Sequence, residues 1–562
     1  MAEEDLIFGK NRHMFGGIEP SNMLAFSIIS KTGAIKLLAV LPNDTIINDQ
    51  VLCTVAGAVI RRRTDACPVD EFDGDFVADI KASGAVTDST ADLSKTYYYA
   101  AFPYTTQGVY NRGKANRVKY TPTGAHYIYG YDLDTTNPDP DTRVSYPSDV
   151  DNELFKPAKM NFTGTTEEGT FSYGNWPSNP GEGFMPRPCM LNRNGTVKYY
   201  LDPNDYTMKL GGREASEYDI PETKSDGYFY DTNVDAMMEW PKIYTKRTLD
   251  NGIYKFRCAP VKIDESWECW CNYNADNEEI DHFYTSIYKR GYVSGNNYAT
   301  SEPDEKLRSI AKTRNTIGQF FSSGGHAASY FIDKLTGFDP PKERVDRNNG
   351  WDIEVLADHL LIQDLLVMMA KTTDLKAAYG DGWSETEEDP VPGGLETKGL
   401  FYGAPKYTSA STQTGRVKIF GMEDYWDSKF SRRIAGWINN RGIQKFKFTT
   451  GTKDRTMVSR YNTTGDGYLP SLAVTYTGSG GYISKCGVLS YGRLPTEYSG
   501  ANNTYECDYY STGNQAVYFA IIGGNLNNSE NRGPFSVTLN KEQNYTSNTI
   551  GVALSCKPRT SS

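Results

Sequence analysis

The sequence predicts a mainly β chain with an α+β C-terminal part, and three observations carry that expectation. Among 562 residues, 52 Gly and 40 Tyr stand beside only 5 His. Gly supplies positive-φ turns, and Tyr suits half-buried strands and contact surfaces. Apolar–polar alternation recurs in short runs between turn signals. Only one segment, around 353–369, holds a sustained helical period.

A chain of this length exceeds one ordinary core, so two to four domains are expected. The formal net charge of −11 argues against a protein built to grip nucleic acid, which needs a basic stripe to neutralise phosphates. The opening residues, MAEEDL, lack the apolar core of a secretory signal. The most apolar run, 360–370, is short and interrupted by Gln363 and Asp364, so no membrane insertion is expected.

Taken in order, residues 1–30 combine Gly9, Gly16, Gly17 and Pro20 with Phe8, Met14 and Phe15. They suit an irregular attachment arm or a poorly ordered terminus equally. From 31 to 122 the pattern turns to strands: Ile35, Leu37 and Ala39 alternate, 51–60 reads as one strand, and Asp73-Gly74 marks a turn. The run YYYAAFPY at 97–104 follows, leading into Gly108–Asn111. Short strands over about ninety residues suggest a β-sandwich, and the Tyr-rich run resembles the late strands of fibronectin type III modules.

Residues 123–240 are rich in Pro, Gly, Asn and Asp and suit a loop-rich connector opening a second unit that spans 241–562. In 353–369, Ile353, Leu356, Ala357, Leu360, Leu361, Leu365 and Met368 share one helical face, leaving Glu354 and Asp358 on the other. Trp426, Phe430, Ile434 and Trp437 could also share a helical face. Near the end, Phe535, Val537 and Leu539 alternate with Ser536 and Thr538, as do Ile550, Val552 and Leu554 with their neighbours. The first three are expected inward, with Ser536 and Thr538 outward.

Several ordered blocks then carry a resemblance: RPCMLNRNGTVKYYLDPNDY at 187–206, MMEWPKIY at 237–244 and LRS at 307–309. The 360–382 segment with Leu365, Leu366, Ala377, Gly380 and Gly382 continues the series, followed by VKIFGMEDYW at 417–426 and IAGW at 434–437. The last blocks are GGNLNN at 523–528, GPF at 533–535 and IGVAL at 550–554. Together they resemble the C-type-lectin-like phage tail proteins related to diversity-generating-retroelement variable proteins, over about 125–562. Position 526 is Leu where such relatives often carry Trp.

The resemblance implies a C-type-lectin-like, formylglycine-generating-enzyme-like fold. It also implies a receptor-binding role in a virion tail, with a variable region at 523–554. The implied receptor-binding residues are Asn525, Asn527, Asn528, Asn531, Ser536, Asn540, Asn544, Tyr545 and Asn548. Independently of the name, Asn both donates and accepts hydrogen bonds, and Tyr adds contact area at low entropic cost. The expected partners are a bacterial surface receptor, glycan or protein, and other tail or baseplate proteins met through the N-terminal region. A homo-oligomer is expected, with a trimer the first choice. A purely structural baseplate or tail-tip role is the alternative, and a glycan depolymerase a further one.

No catalytic constellation or cofactor is expected. The five His are widely spaced and form no His-x-x-x-His or His-Glu-x-x-His set. Glu423 with Asp424, or Asp276 with Glu278, are acidic pairs of the kind that 70 acidic residues produce by chance. Cys258, Cys269 and Cys271 lack the paired knuckles of structural zinc, so reduced, buried thiols and no metal are expected. The triplets of calcium-dependent sugar binding, Glu-Pro-Asn, Gln-Pro-Asp and Trp-Asn-Asp, are absent as well.

Overall fold

The computed structural model describes residues 18–120 and 127–559, except 31–33, 48–49, 94, 164–168, 193, 212, 215–233, 275–277, 289–290, 294–305, 309–349, 383–394, 405–415, 427–430, 442, 447–470, 474–479, 525–532 and 542–549. The chain is mainly β. It divides into two compact units, Met1–Tyr127 with Asp151–Leu154, and Ile128–Val150 with Phe155–Ser562.

The first unit contains β1 (Ala25–Ser30), β2 (Ile35–Val40), β3 (Thr45–Ile47), β4 (Gln50–Cys53), β5 (Val55–Arg63), β6 (Asp75–Ile80), β7 (Gly84–Asp88), β8 (Tyr97–Thr105) and β9 (Arg117–Tyr120). A three-stranded sheet, β1-β2-β7, and a four-stranded sheet, β6-β5-β8-β9, share one core. Ile35, Leu37 and Ala39 of β2 are fully buried against Ala58, Ile60, Tyr99, Ala101 and Tyr120, as alternation dictates. Asp88, at the end of β7, accepts from Arg62 Nη1 at 2.6 Å and from the Tyr99 hydroxyl at 2.8 Å, tying the two sheets by a buried ion pair. β1 belongs to this sandwich, so the irregular part of the expected 1–30 arm is shorter than that range. Residues 1–17 lie outside the described residues. The single strand expected at 51–60 is two strands: β4 turns back on β3, and β5 joins the four-stranded sheet.

In the second unit the loop-rich 123–240 segment supplies sheet structure. Tyr129–Asp134 pairs with Ile253–Ala259, and Arg187–Asn192 pairs with both Val197–Asp202 and Val234–Pro241. Val234–Pro241 continues to His282–Ser286, then to the C-terminal Leu554–Cys556 and finally Trp351–Ile353. The chain's last strand therefore lies inside a sheet built mostly from residues far upstream.

Helix α1 (Leu356–Ala370) packs against these strands, and every one of its residues is buried. The face opposite the apolar stripe is enclosed as well. Leu, Ala and Met favour a helix, and a helix apolar nearly all round must be enclosed. Asp358, His359, Gln363 and Asp364 are therefore buried too, and each has dedicated partners. Asp358 binds Lys557 Nζ at 2.7 Å and the Ser555 hydroxyl at 2.9 Å. Asp364 accepts from Tyr131 at 2.7 Å, Arg247 Nε at 2.8 Å and Tyr254. The last-turn carbonyls, which no helical amide reaches, are also satisfied. Tyr146 donates to Met368 O at 2.6 Å, Trp176 Nε1 to Met369 O at 3.0 Å, and the left-handed Lys371 to Val367 O at 2.8 Å. A short helix, α2 (Leu375–Tyr379), follows, capped by Asp374.

The helical face expected for Trp426, Ile434 and Trp437 is replaced by a strand, Ser431–Asn440, which carries the last two. Phe430 lies outside the described residues. A strict strand would send positions three apart to opposite faces, yet Ile434 and Trp437 are both buried. A register shift between Arg433 and Ile438, where five steps along this strand meet two along Val517–Ile522, interrupts the alternation. No described helix is long and apolar enough to cross a membrane.

Candidate functional site

The terminal segment is built on a sheet. Val517–Ile522 runs antiparallel to Val537–Leu539, which lies parallel to Tyr509–Thr512 on its other side. Phe535, Val537 and Leu539 point into the core and are buried, as their alternation requires. The Gly523 N–H donates to Ser536 O at 3.0 Å, and the Ser536 N–H donates to Gly533 O at 3.1 Å. The two feet of the 525–532 segment therefore rise side by side from one end of this strand pair.

Of the residues expected to bind a receptor, Asn525, Asn527, Asn528, Asn531, Asn544, Tyr545 and Asn548 lie outside the described residues. Ser536 is a correction: it is buried, not outward. The Ser536 backbone is tied on both sides, to Gly533 and Gly523, at the closed end of the turn. Thr538 is half-buried. Asn540 is half-buried, and its side-chain oxygen is enclosed without a hydrogen-bond partner. Ser536 and Asn540 flank a strand of three residues and so sit at its opposite ends. The Asn540 end is held by Asn439 Nδ2, which donates to Thr512 Oγ1 at 2.7 Å, Gly513 O at 2.6 Å and Leu539 O at 3.4 Å. The chain then returns at Ile550–Val552, parallel to Ser431–Arg433.

Two buried clamps fix the Gly533–Phe535 turn, and the alternation of apolar residues indicates neither. The first is Asp508, whose Oδ2 accepts the Phe535 N–H at 2.7 Å while Oδ1 lies 3.2 Å from Lys376 of α2. Burial pushes the Asp508 carboxyl up to about 7, against the opposing pull of Lys376. Gly533 has φ +141°, and a Cβ there would run into this carboxylate, so only glycine fits.

The second clamp is a relay from α1. Gln363 Nε2 donates to Pro534 O at 2.8 Å and lies 2.9 Å from His359 Nε2. His359 Nδ1 lies 3.1 Å from the Tyr425 hydroxyl, which donates to Glu354 Oε1 at 2.9 Å. Glu354 Oε2 accepts from Arg432 Nη1 at 2.6 Å. This pattern assigns one neutral tautomer, with the proton on Nδ1. Burial, then Arg432, hold the His359 pKa well below its usual value, which keeps the ring neutral. The signal in the sequence was the pair His359 and Gln363, one helical turn apart inside an otherwise apolar helix.

A comparable clamp holds Leu395. Glu423 Oε1 accepts its N–H at 3.2 Å, and Lys418 Nζ donates to its carbonyl at 2.6 Å. Burial drives the Glu423 carboxyl up and the Lys418 ammonium down. Glu423 and Asp424, the adjacent acidic pair, both meet the Arg416 guanidinium, at 3.0 and 2.8 Å. Asp276 of the other acidic pair lies outside the described residues, and Glu278 is bound to Asn274.

The nine cysteines are free thiols, and seven are buried, Cys258, Cys269 and Cys271 among them. Burial raises all three, Cys269 to about 12, so they resist forming thiolates. Among the described residues no group of three or more His, Cys, Asp or Glu is placed to hold a metal ion. The arrangement as described is a rigid framework that fixes where loop segments begin and end. No protein-family profile matches the chain, and comparison with curated proteins finds no match.

Proposed function

We propose that this chain is a non-catalytic receptor-binding protein of a bacteriophage tail, presenting its 523–554 region to a bacterial surface receptor. On this reading the second unit is C-type-lectin-like, and the first is a fibronectin type III-like module through which the chain joins the tail as a homo-oligomer. The three-on-four strand arrangement of the first unit supports its part of the assignment. One observation carries the functional reading. The foot after the 525–532 segment is fixed by buried Phe535 and Val537 and by Asp508 and Gln363. The foot before it follows buried Ile521 and Ile522 and is tied to the first through the Gly523 N–H and Ser536 O. The contacts that fix these feet come from residues outside 525–532, and anchoring of that kind is what a surface that adapts to a receptor requires. Weak contacts repeated over several copies would then give useful adhesion.

The test is adsorption to host cells by phage carrying Asn525→Ala, Asn528→Ala and Tyr545→Ala together, with folding followed by thermal melting. Lost adsorption with an unchanged melt supports the reading. Unchanged adsorption moves receptor contact elsewhere, and absence of the chain from purified virions removes the tail assignment.

A further inference from the structure

The hairpin joining β5 to β6 is the most conspicuous surface feature of the first unit. Between Arg63 and Lys81 the sequence carries Asp65, Asp70, Glu71, Asp73, Asp75 and Asp79 and no Lys or Arg. Arg62, Arg63, Lys81 and Arg112 reach in to pair with all of these except Asp70, and the Asp65 and Asp75 carboxylates stay largely exposed. Large apolar side chains stand exposed among them: Val69 at 58%, Phe72 at 77% and Phe76 at 57%. The hairpin is rigidly framed. Arg63 bridges Asp65 and Asp73, Asp73 Oδ2 accepts the Val69 N–H at 2.9 Å, and Asp70 Oδ1 accepts the Phe72 N–H at 2.9 Å. Arg112 grips the Glu71 carboxylate with two bonds, at 2.6 and 2.9 Å. A frame this constrained holds Phe72 outward, where it gains nothing from the unit's own core.

The described chain begins beside this hairpin. Asn111 Nδ2 donates to Pro20 O at 2.7 Å, and Glu19 lies within electrostatic reach of Arg112, the residue that clamps Glu71. Upstream stands a segment of complementary chemistry: Phe8, Lys10, Arg12, Met14 and Phe15. Phe15 is three residues before Ile18, roughly 10 Å of extended chain, so the hairpin is within its reach. Tethering raises the local concentration of the segment at the hairpin, and modest contacts then suffice.

We propose that the Phe8–Phe15 stretch docks on the hairpin of its own chain. Its aromatic and methionine side chains cover Val69, Phe72 and Phe76, and Lys10 and Arg12 face Asp70 and the exposed carboxylates of Asp65 and Asp75. The assignment stands on the first unit alone and does not depend on the adhesion reading.

The experiment is thiol labelling of a chain carrying Cys67→Ser and Val69→Cys by a maleimide, with the peptide that contains position 69 quantified by mass spectrometry. Three full-chain backgrounds are compared: intact, lacking residues 2–15, and carrying Lys10→Glu with Arg12→Glu. Docking predicts labelling about fivefold slower in the intact chain, the factor that a small local free energy gives. Both altered backgrounds should recover the fast rate, and the intact rate should not depend on protein concentration. Equal rates in all three overturn the proposal. Protection that strengthens with concentration also overturns it, placing a second copy on the hairpin instead.

Discussion

The carboxylate of Asp508 accepts the backbone N–H of Phe535 at 2.7 Å, and both residues are buried. The bond connects the strand Tyr509–Thr512 to the foot of the terminal segment, and Lys376 of α2 supplies the countercharge. Asp508→Ala would leave a buried ammonium and a buried amide without their acceptor. A loss of about 3–5 kcal/mol is expected, the range for breaking a buried pair from one side. Urea denaturation measures it; a loss below about 1 kcal/mol would show that the clamp is dispensable.

The same carboxylate predicts a pH dependence. Its folded pKa is raised from 3.8 to about 7, chiefly by burial. Folding therefore takes up a proton between those values. The contribution of Asp508 to stability is greatest below about pH 4 and declines as pH rises to about 7. Urea midpoints of the wild-type chain and Asp508→Asn should diverge across roughly pH 4 to 7, with the wild type losing more stability towards the upper end. Parallel profiles would refute the assignment.

Gly533 and Asp508 should behave as a coupled pair. Gly533→Ala forces a side chain into the carboxylate at φ +141°, a conformation expected to cost about 1–3 kcal/mol. Adding Asp508→Ala relieves the collision, so the double variant should lose less than the sum of the single losses. Strict additivity in a double-mutant cycle would contradict this geometry.

Truncation should separate framework from surface. Phe535→Ala or Leu539→Ala should cost about 2–5 kcal/mol by leaving cavities, whereas half-buried Thr538→Ala should stay within roughly 1 kcal/mol. Chemical denaturation of the three variants distinguishes them. Similar losses at all three positions would mean that the inward set is misassigned.

Lys557 is fully buried and pairs with Asp358 at 2.7 Å, also donating to Cys271 O. Lys557→Met keeps most of the volume but strands the Asp358 charge inside the fold. A loss of about 3–5 kcal/mol follows. Asp358→Asn in the same chain should recover part of it, and a failure to recover any would place the cause in packing rather than charge.

The sequence by itself determined the β class, the buried faces of β2 and of Phe535, Val537 and Leu539, and the existence of α1. Each follows from a local period, and a local period fixes which side of an element is apolar. Tertiary structure decided what lies against those sides. It enclosed α1 completely, and so made Asp358, His359, Gln363 and Asp364 interior hydrogen-bonding groups. It converted the spacing of Ile434 and Trp437 into a bulged strand, because partner strands rather than propensity satisfy the backbone there. It buried Ser536 beside the Gly523–Ser536 backbone bond, and it brought Asp508 to Phe535 across 27 residues. Such pairings depend on which distant segments meet. Apolar periodicity carries no record of them, because a buried polar group is tolerated only where a partner arrives from elsewhere in the chain.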